Sequence, residues 1–255
     1  MKRYIAIIPA RYASTRFPAK PLALLGGKPI VQRVYERVEP FFDEAVVATD
    51  KEEIMLCVQS FGGRAIMTSP NHKSGTDRCW EAYQKSGSTC DIVVNVQGDE
   101  PFIHPAQLQA IKSCFDDADT QIATLAKPFD QNADFAYVEN PNSPKVIVDS
   151  KGFAMYFSRS VIPFVRGQEK TAWTRHHVFL KHIGLYAYKT EVLEAITRLQ
   201  QSPLELAESL EQLRWLENGY RIKVQHTMQE TIGIDTPEDL QRAEIFLKRQ
   251  EGEII

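Results

Sequence analysis

The sequence predicts an α/β protein built on a doubly wound, mostly parallel sheet, followed by a smaller antiparallel β part. Three observations carry this reading. Short aliphatic and β-branched runs recur through the first half, amphipathic helical stretches separate them, and the alternation stops near Lys127. Strands joined through helices of this length need right-handed crossovers, which set neighbouring strands parallel. In such sheets ligands bind where strands end.

The elements follow in order. Tyr4–Pro9 reads as a buried strand, and Ile30, Val31, Val34 and Val38 give a helical stripe. Ala45–Thr49 is a strand and Glu52–Phe61 a helix. Arg64–Met67 is again a strand, Asp77–Lys85 a helix with Thr76 as its cap, and Asp91–Val96 the most apolar strand. Pro105–Phe115 is a helix and Ile122–Ala126 a fifth strand. Beyond Lys127, Asn140–Pro144 is a loop, and Lys145–Val148 and Phe153–Phe157 flank Asp149–Gly152 as a hairpin. The polar stretch Arg166–Arg175 reads as mobile. Lys181–Tyr188 is strand-like, Leu204–Leu216 reads as one helix stopping at Asn218-Gly219, and Arg221–His226 is a strand. Thr236-Pro237-Glu238-Asp239 opens the last helix with a cap, a proline and an acid in the expected places.

The chain has 255 residues, 43% of them hydrophobic and 25% charged, so it supports a buried core and is not a disordered sequence. Thirty basic against thirty-three acidic side chains leave a net charge of −3. No basic surplus exists for a nucleic-acid backbone, so nucleic acid is not an expected partner. No apolar run reaches membrane-span length, and the N-terminal apolar segment is too short for a signal peptide. Cys57, Cys79, Cys90 and Cys114 are scattered without a paired motif, which reads as reduced thiols in a cytoplasmic protein.

Chemistry concentrates at strand ends. Arg11, Arg16 and Lys20 lie in one loop after the first strand, with Ser14 and Thr15 between them. A solvated basic loop is one reading. A loop at the mouth of a ligand crevice, however, can fold its cations inward, and this position favours a triphosphate: guanidinium groups present paired donors, and a lysine gives a point charge. Gly26-Gly27 reads as a turn, since the chain contains no G-x-x-x-x-G-K-[ST], G-x-G-x-x-G or G-x-S-x-G pattern. Val94-Asn95-Val96 leads into Gln97-Gly98-Asp99-Glu100. An acid at the end of a buried strand is poorly explained by stability, and magnesium takes carboxylates together with substrate phosphates, so Asp99 is a candidate metal ligand. Gly98 would let the backbone approach a nucleotide.

Asp235, before the last helix, is either structural at the helix start or the partner of Asp99 in a magnesium site. Asp50 divides between capping and a place near the nucleotide. Ser74-Gly75-Thr76 offers hydroxyls and backbone donors to a base or ribose. His182 and Tyr186, four apart in a strand, face one side. Arg159 follows Ser158 at a strand end. Glu208, Glu211 and Gln212 share one helix face, which is either solvated or presents groups to sugar hydroxyls.

Taken together, the R-x2-S-x-R-x-P-x-K loop, the V-N-V-Q-G-D-E-P strand end and the G-I-D-T-P-E-D-L segment resemble the CMP-sugar-acid synthetases. Tyr156-Phe157-Ser158-Arg159, Ser202-Pro203-Leu204-Glu205 and Leu210-Glu211-Gln212-Leu213-Arg214 extend the likeness over nearly the whole chain. Within that family it looks most like the members acting on 3-deoxy-manno-octulosonate (Kdo). The resemblance implies a Rossmann-like nucleotidyltransferase domain spanning 1–255, with an antiparallel subdomain at about 136–190 used for dimerisation. It implies a magnesium-dependent reaction of CTP with Kdo, giving CMP-Kdo and pyrophosphate for lipopolysaccharide assembly, in a homodimer. Carried over by position, Arg11, Ser14, Arg16 and Lys20 serve the triphosphate, and Asp99 and Asp235 hold magnesium. Gln97, Arg159, His182, Tyr186, Glu211 and Gln212 line the sugar pocket, with Ser74 and Gln97 also near the nucleotide. Arg166–Arg175 matches no family pattern. Sialic acid, an amino-substituted Kdo, or CTP binding without catalysis are the other readings.

Overall fold

The aliphatic run after Tyr4 forms strand β1 (Tyr4–Ala10), whose Ile5, Ala6, Ile7 and Ile8 are fully buried. The computed structural model describes residues 2–13, 16–132, 134–230 and 232–250. After β1, a tight hairpin pairs β2 (Leu24–Leu25) with β3 (Lys28–Pro29). Gly26 and Gly27 turn it at φ 53° and 75°, the left-handed pair that a two-residue hairpin loop requires. Helix α1 (Ile30–Val38) buries Ile30, Val31, Val34 and Val38, a stripe at helical spacing. Then come β4 (Glu44–Thr49), α2 (Glu52–Ser60), β5 (Ala65–Met67), α3 (Gly75–Ser86), β6 (Ile92–Asn95) and α4 (Pro105–Ser113).

In β1, β4, β5 and β6 the strand order is β6-β1-β4-β5, all parallel, with Ile7 between Val46 and Asn95. The chain steps outward from β1 to β4 and β5, then returns to the other side of β1 as β6. That reversal is a topological switch point, and the crevice beyond the ends of β1 and β6 is where such sheets bind ligands.

Contacts divide the chain into two units, Met1–Leu108 with Thr231–Ile255, and Gln109–Glu230. The second unit contains β7 (Ile122–Pro128), α5 (Phe135–Glu139), β8 (Lys145–Val148), β9 (Ala154–Ser158), α6 (Trp173–His176), β10 (Leu180–Lys189), α7 (Thr190–Thr197), α8 (Pro203–Glu208), α9 (Gln212–Glu217) and β11 (Ile222–His226). The chain then returns to the first unit as α10 (Pro237–Gln250). Strand β7 pairs parallel with β11 and antiparallel with β10, so the fifth strand of the sequence reading belongs to a mixed sheet. The hairpin β8–β9 forms as expected, its turn held by Asp149, which accepts from the Lys151 and Phe153 amides.

Three local expectations are corrected. The cap of α3 is Ser74, whose hydroxyl accepts from the Asp77 amide, so Thr76 lies inside the first turn. Arg166–Arg175 is anchored at one end: Trp173 is buried with Phe135, Val138 and Phe179, and its indole donates to the Gln168 carbonyl, while residues 166–171 are exposed. The span Leu204–Leu216 is two helices, because Ser209 turns left-handed at φ 50° and ends α8. Glu208 therefore does not share a helix face with Glu211 and Gln212.

Candidate active site

The cleft at the switch point measures about 330 Å³ and is lined by Arg11, Arg16, Lys20, Arg78, Gln97, Asp99 and Asp235. Ser14 lies outside the described residues. The basic loop leaves β1 and closes on itself where the Ala19 amide donates to the Tyr12 carbonyl. Ala19 is left-handed at φ 54°, uncommon for a residue with a Cβ, and this places Lys20 at the start of a short 3-10 turn facing the cleft. Helix α3 opens at the cleft through Gly75, so its positive end faces the ligand space.

Asp99 and Asp235 are brought together by the main chain. The Ile234 amide donates to the Asp99 carbonyl at 2.9 Å, which ties the segment before α10 to the loop after β6. Capping of α10 falls to other residues: the Asp239 amide donates to the Thr236 hydroxyl, and the Thr236 amide donates back to the Asp239 carboxylate. Burial would raise the Asp239 pKa, but hydrogen bonds from the Asp235 amide, Arg242 and Thr236 outweigh it and hold it below the ordinary value. The Asp235 carboxylate is thereby left to the cations. Lys20 Nζ lies 2.6 Å from Asp99 Oδ2 and 3.2 Å from Asp235 Oδ1, and Arg16 reaches Asp235 Oδ2 at 3.1 Å.

Gly98 serves the chain itself. A Cβ there would sit 2.4 Å from the Pro9 carbonyl oxygen, so glycine is required for the loop after β6 to lie against the end of β1. Asp50 neither caps α2 nor faces the cleft as a free acid. It accepts from Arg78 at 3.1 Å and from the Tyr12 amide at 3.2 Å, pinning the root of the basic loop. Arg78, 1% exposed, also donates to Thr68 Oγ1 at 2.6 Å. No sequence motif marks Arg78. Its position one residue before buried Cys79 and four before buried Ala82 was the available signal, since it falls on the core stripe of α3.

In the second unit, His182 and Tyr186 do meet, with ring centroids 5.4 Å apart despite the irregular register between Ile183 and Tyr186. His182 also abuts Phe157, and its Nε2 is 3.1 Å from Thr124 Oγ1. Thr124 has a single hydroxyl hydrogen and a closer carbonyl acceptor in Leu185, which makes His182 Nε2 the donor. Burial lowers the His182 pKa from 6.5 to about 4. Burial also raises the Tyr186 hydroxyl well above its ordinary value, with Glu211 adding to the effect. Glu211 is held by Arg214 at 2.6 Å, and Gln212 is buried with no hydrogen-bond partner for Nε2.

Arg159 is engaged with the main chain, donating to the carbonyls of Glu208, Pro141 and Ser209. Glu208 accepts from the Ser158 hydroxyl and the Arg159 amide, and buried Lys145 donates to the carbonyls of Asn140 and Arg159. Burial lowers the Lys145 pKa, with nearby Glu208 opposing that shift. Among the described residues no helix is long and apolar enough to cross a membrane, and no three His, Cys, Asp or Glu side chains form a ready-made metal cage.

Cations and two carboxylates converging beyond a parallel-sheet switch point define a nucleotidyltransferase-like site. The chain belongs to the cytidylyltransferase family, which matches residues 5–232. It is 64% identical over 251 residues to the 3-deoxy-manno-octulosonate cytidylyltransferase of Phocaeicola vulgatus, covering 98% of this chain and 100% of that protein. The protein of the same name from Porphyromonas gingivalis is 55% identical, covering 96% and 97%. The solved structure of a CMP:2-keto-3-deoxy-manno-octonic acid synthetase complexed with CTP superposes with a TM-score of 0.88 at 39% identity, covering 97% of this chain and 99% of that one. A Bacillus anthracis protein named as a putative glucose-1-phosphate thymidylyltransferase, at 16% identity and TM-score 0.64 with 95% of this chain and 94% of that one covered, shares the fold.

Proposed function

We propose that the protein transfers CMP from CTP to the anomeric hydroxyl of Kdo, releasing pyrophosphate and forming CMP-Kdo for lipopolysaccharide assembly. The observation that carries the reading is the meeting of Lys20 and Arg16 with Asp99 and Asp235 in one cleft. The anomeric oxygen attacks the α-phosphorus, the bond to the β-phosphate oxygen breaks, and the hydroxyl proton passes to solvent. Charge accumulates on phosphate oxygens, so fixed cations supply most of the acceleration and no covalent enzyme intermediate is needed. Arg11, Ser14, Arg16 and Lys20 take the triphosphate, with Ser74 and Gln97 serving the nucleotide.

Two carboxylate oxygens within hydrogen-bonding reach of one nitrogen also converge on one cation, and an oxygen-only pair suits magnesium. Asp99 and Asp235 would hold it, and it would supply positive charge at the reacting phosphate. His182, Tyr186, Glu211 and Gln212 serve the sugar acid, as does Gln97 by family position. Neutral His182 serves as a hydrogen-bonding group, and Gln212 brings an unpaired donor. Arg159 acts there by holding the turn between α8 and α9 in place. The enzyme works as a cytoplasmic homodimer, where its nucleotide substrate is made, and light scattering tests the assembly state.

The deciding experiment is a pyrophosphate-release screen of four nucleoside triphosphates against Kdo, an amino-substituted Kdo and sialic acid. Release with CTP and Kdo above all other pairs is expected. Faster release with another acid would change the acceptor, and CTP binding without release would make the protein a sensor. Asp99→Asn and Asp235→Asn should each lower turnover by roughly a hundredfold or more.

A further inference from the structure

We propose that Lys20 holds the place of the divalent cation until nucleotide arrives, so that the triphosphate draws the lysine away and opens the carboxylate pair to the metal. This deepens the reading of Asp99 and Asp235 as metal ligands and rests on it. The Lys20 side chain is only 12% exposed, and its ammonium bridges both carboxylates. An ammonium and a divalent ion cannot occupy the same oxygens, because like charges at such separations repel strongly in a partly buried cleft. Metal entering alone would therefore have to evict Lys20 into a site already holding Arg11 and Arg16.

With a triphosphate in the cleft the balance reverses. Phosphate oxygens give Lys20 and Arg16 new partners, and the released carboxylates meet the metal. Arg16, its side chain 64% exposed, is open to an incoming phosphate. Metal and nucleotide then bind with positive coupling, and the coupling is reciprocal. Lys20 is in this view a positioning residue for the metal as well as a phosphate contact.

The test is a Mn²⁺ titration without nucleotide, followed by calorimetry, on the wild-type protein and on Lys20→Met. The variant is expected to bind Mn²⁺ roughly tenfold more tightly, within the ordinary range of coupling between sites. Adding Asp99→Asn to Lys20→Met should abolish the gain, which places the ion at these carboxylates. Equal or weaker binding by Lys20→Met overturns the exchange. A second measurement needs no variant: acetic anhydride labelling of wild-type Lys20, read by mass spectrometry, should rise when saturating Mn²⁺ displaces the ammonium. Unchanged labelling at saturation refutes the proposal even if Lys20→Met does not fold. If the wild-type protein shows no Mn²⁺ site even with CTP, the metal reading itself fails. If it shows one while Lys20→Met gains nothing, only the exchange fails.

Discussion

Lowering the pH from 7 to 5 should destabilise the protein through His182. Its imidazole, enclosed by Phe157, Tyr186 and Thr124, titrates near 4 when folded, against an ordinary value of 6.5. A depressed pKa means that stability is complete above the unfolded value and is lost as the pH falls toward the folded one. Between pH 7 and 5 the unfolded ring takes up most of a proton while the folded ring stays mostly neutral. Linkage makes the loss about 2 kcal/mol at most, less whatever hydration reaches the half-buried residue. The assay is urea unfolding at both pH values, followed by tryptophan fluorescence, for the wild-type protein and His182→Gln. Glutamine can still donate to Thr124 but does not titrate. Subtracting the variant's pH dependence from that of the wild type isolates the histidine. A remainder below about 0.5 kcal/mol, with unchanged urea slopes, would refute the reasoning.

Arg78→Met should cost roughly 3–5 kcal/mol by stranding Asp50 in a buried setting, and should raise the KM for CTP, because Asp50, which holds the Tyr12 amide, loses the guanidinium that fixes it; denaturation and initial rates check both. Gly98→Ala should displace the loop after β6 and lower kcat, since the new methyl meets the Pro9 carbonyl; the turnover number with saturating substrates measures it. Ala19→Gly should raise stability by roughly 0.5–1 kcal/mol by relieving the left-handed conformation, with a higher Tm as the readout.

The parallel strands were legible because both their faces are buried, so they read as unbroken aliphatic runs, as in Ile5–Ile8 and Val46–Val47. The cleft was legible for a related reason. Arg11, Arg16, Lys20 and Asp99 interrupt apolar surroundings at strand ends, where stability alone gives no cause for charge. What escaped depends on contacts distant in sequence. The break at Ser209 has only a weak local signal, since serine is a modest helix former that an amphipathic run can absorb. It is held instead by Arg159, about fifty residues earlier, which satisfies the carbonyls of Glu208 and Ser209. Similarly, nothing near Gly98 reveals that its neighbour is the Pro9 carbonyl, and the Asp50 pairing emerges only once α3 is packed.

Asp99 and Asp235 come from opposite flanks of the second unit, which is threaded between them as an insertion. During synthesis, a chain emerging in order presents Lys20 and Asp99 early and completes its acidic pair only after the ribosome has translated past the second unit. A truncation just after Glu230 would keep strands β1, β4, β5 and β6 yet lack Asp235. On the role proposed for Asp235, a chain stopped at Glu230 should turn over CTP far more slowly than the full sequence.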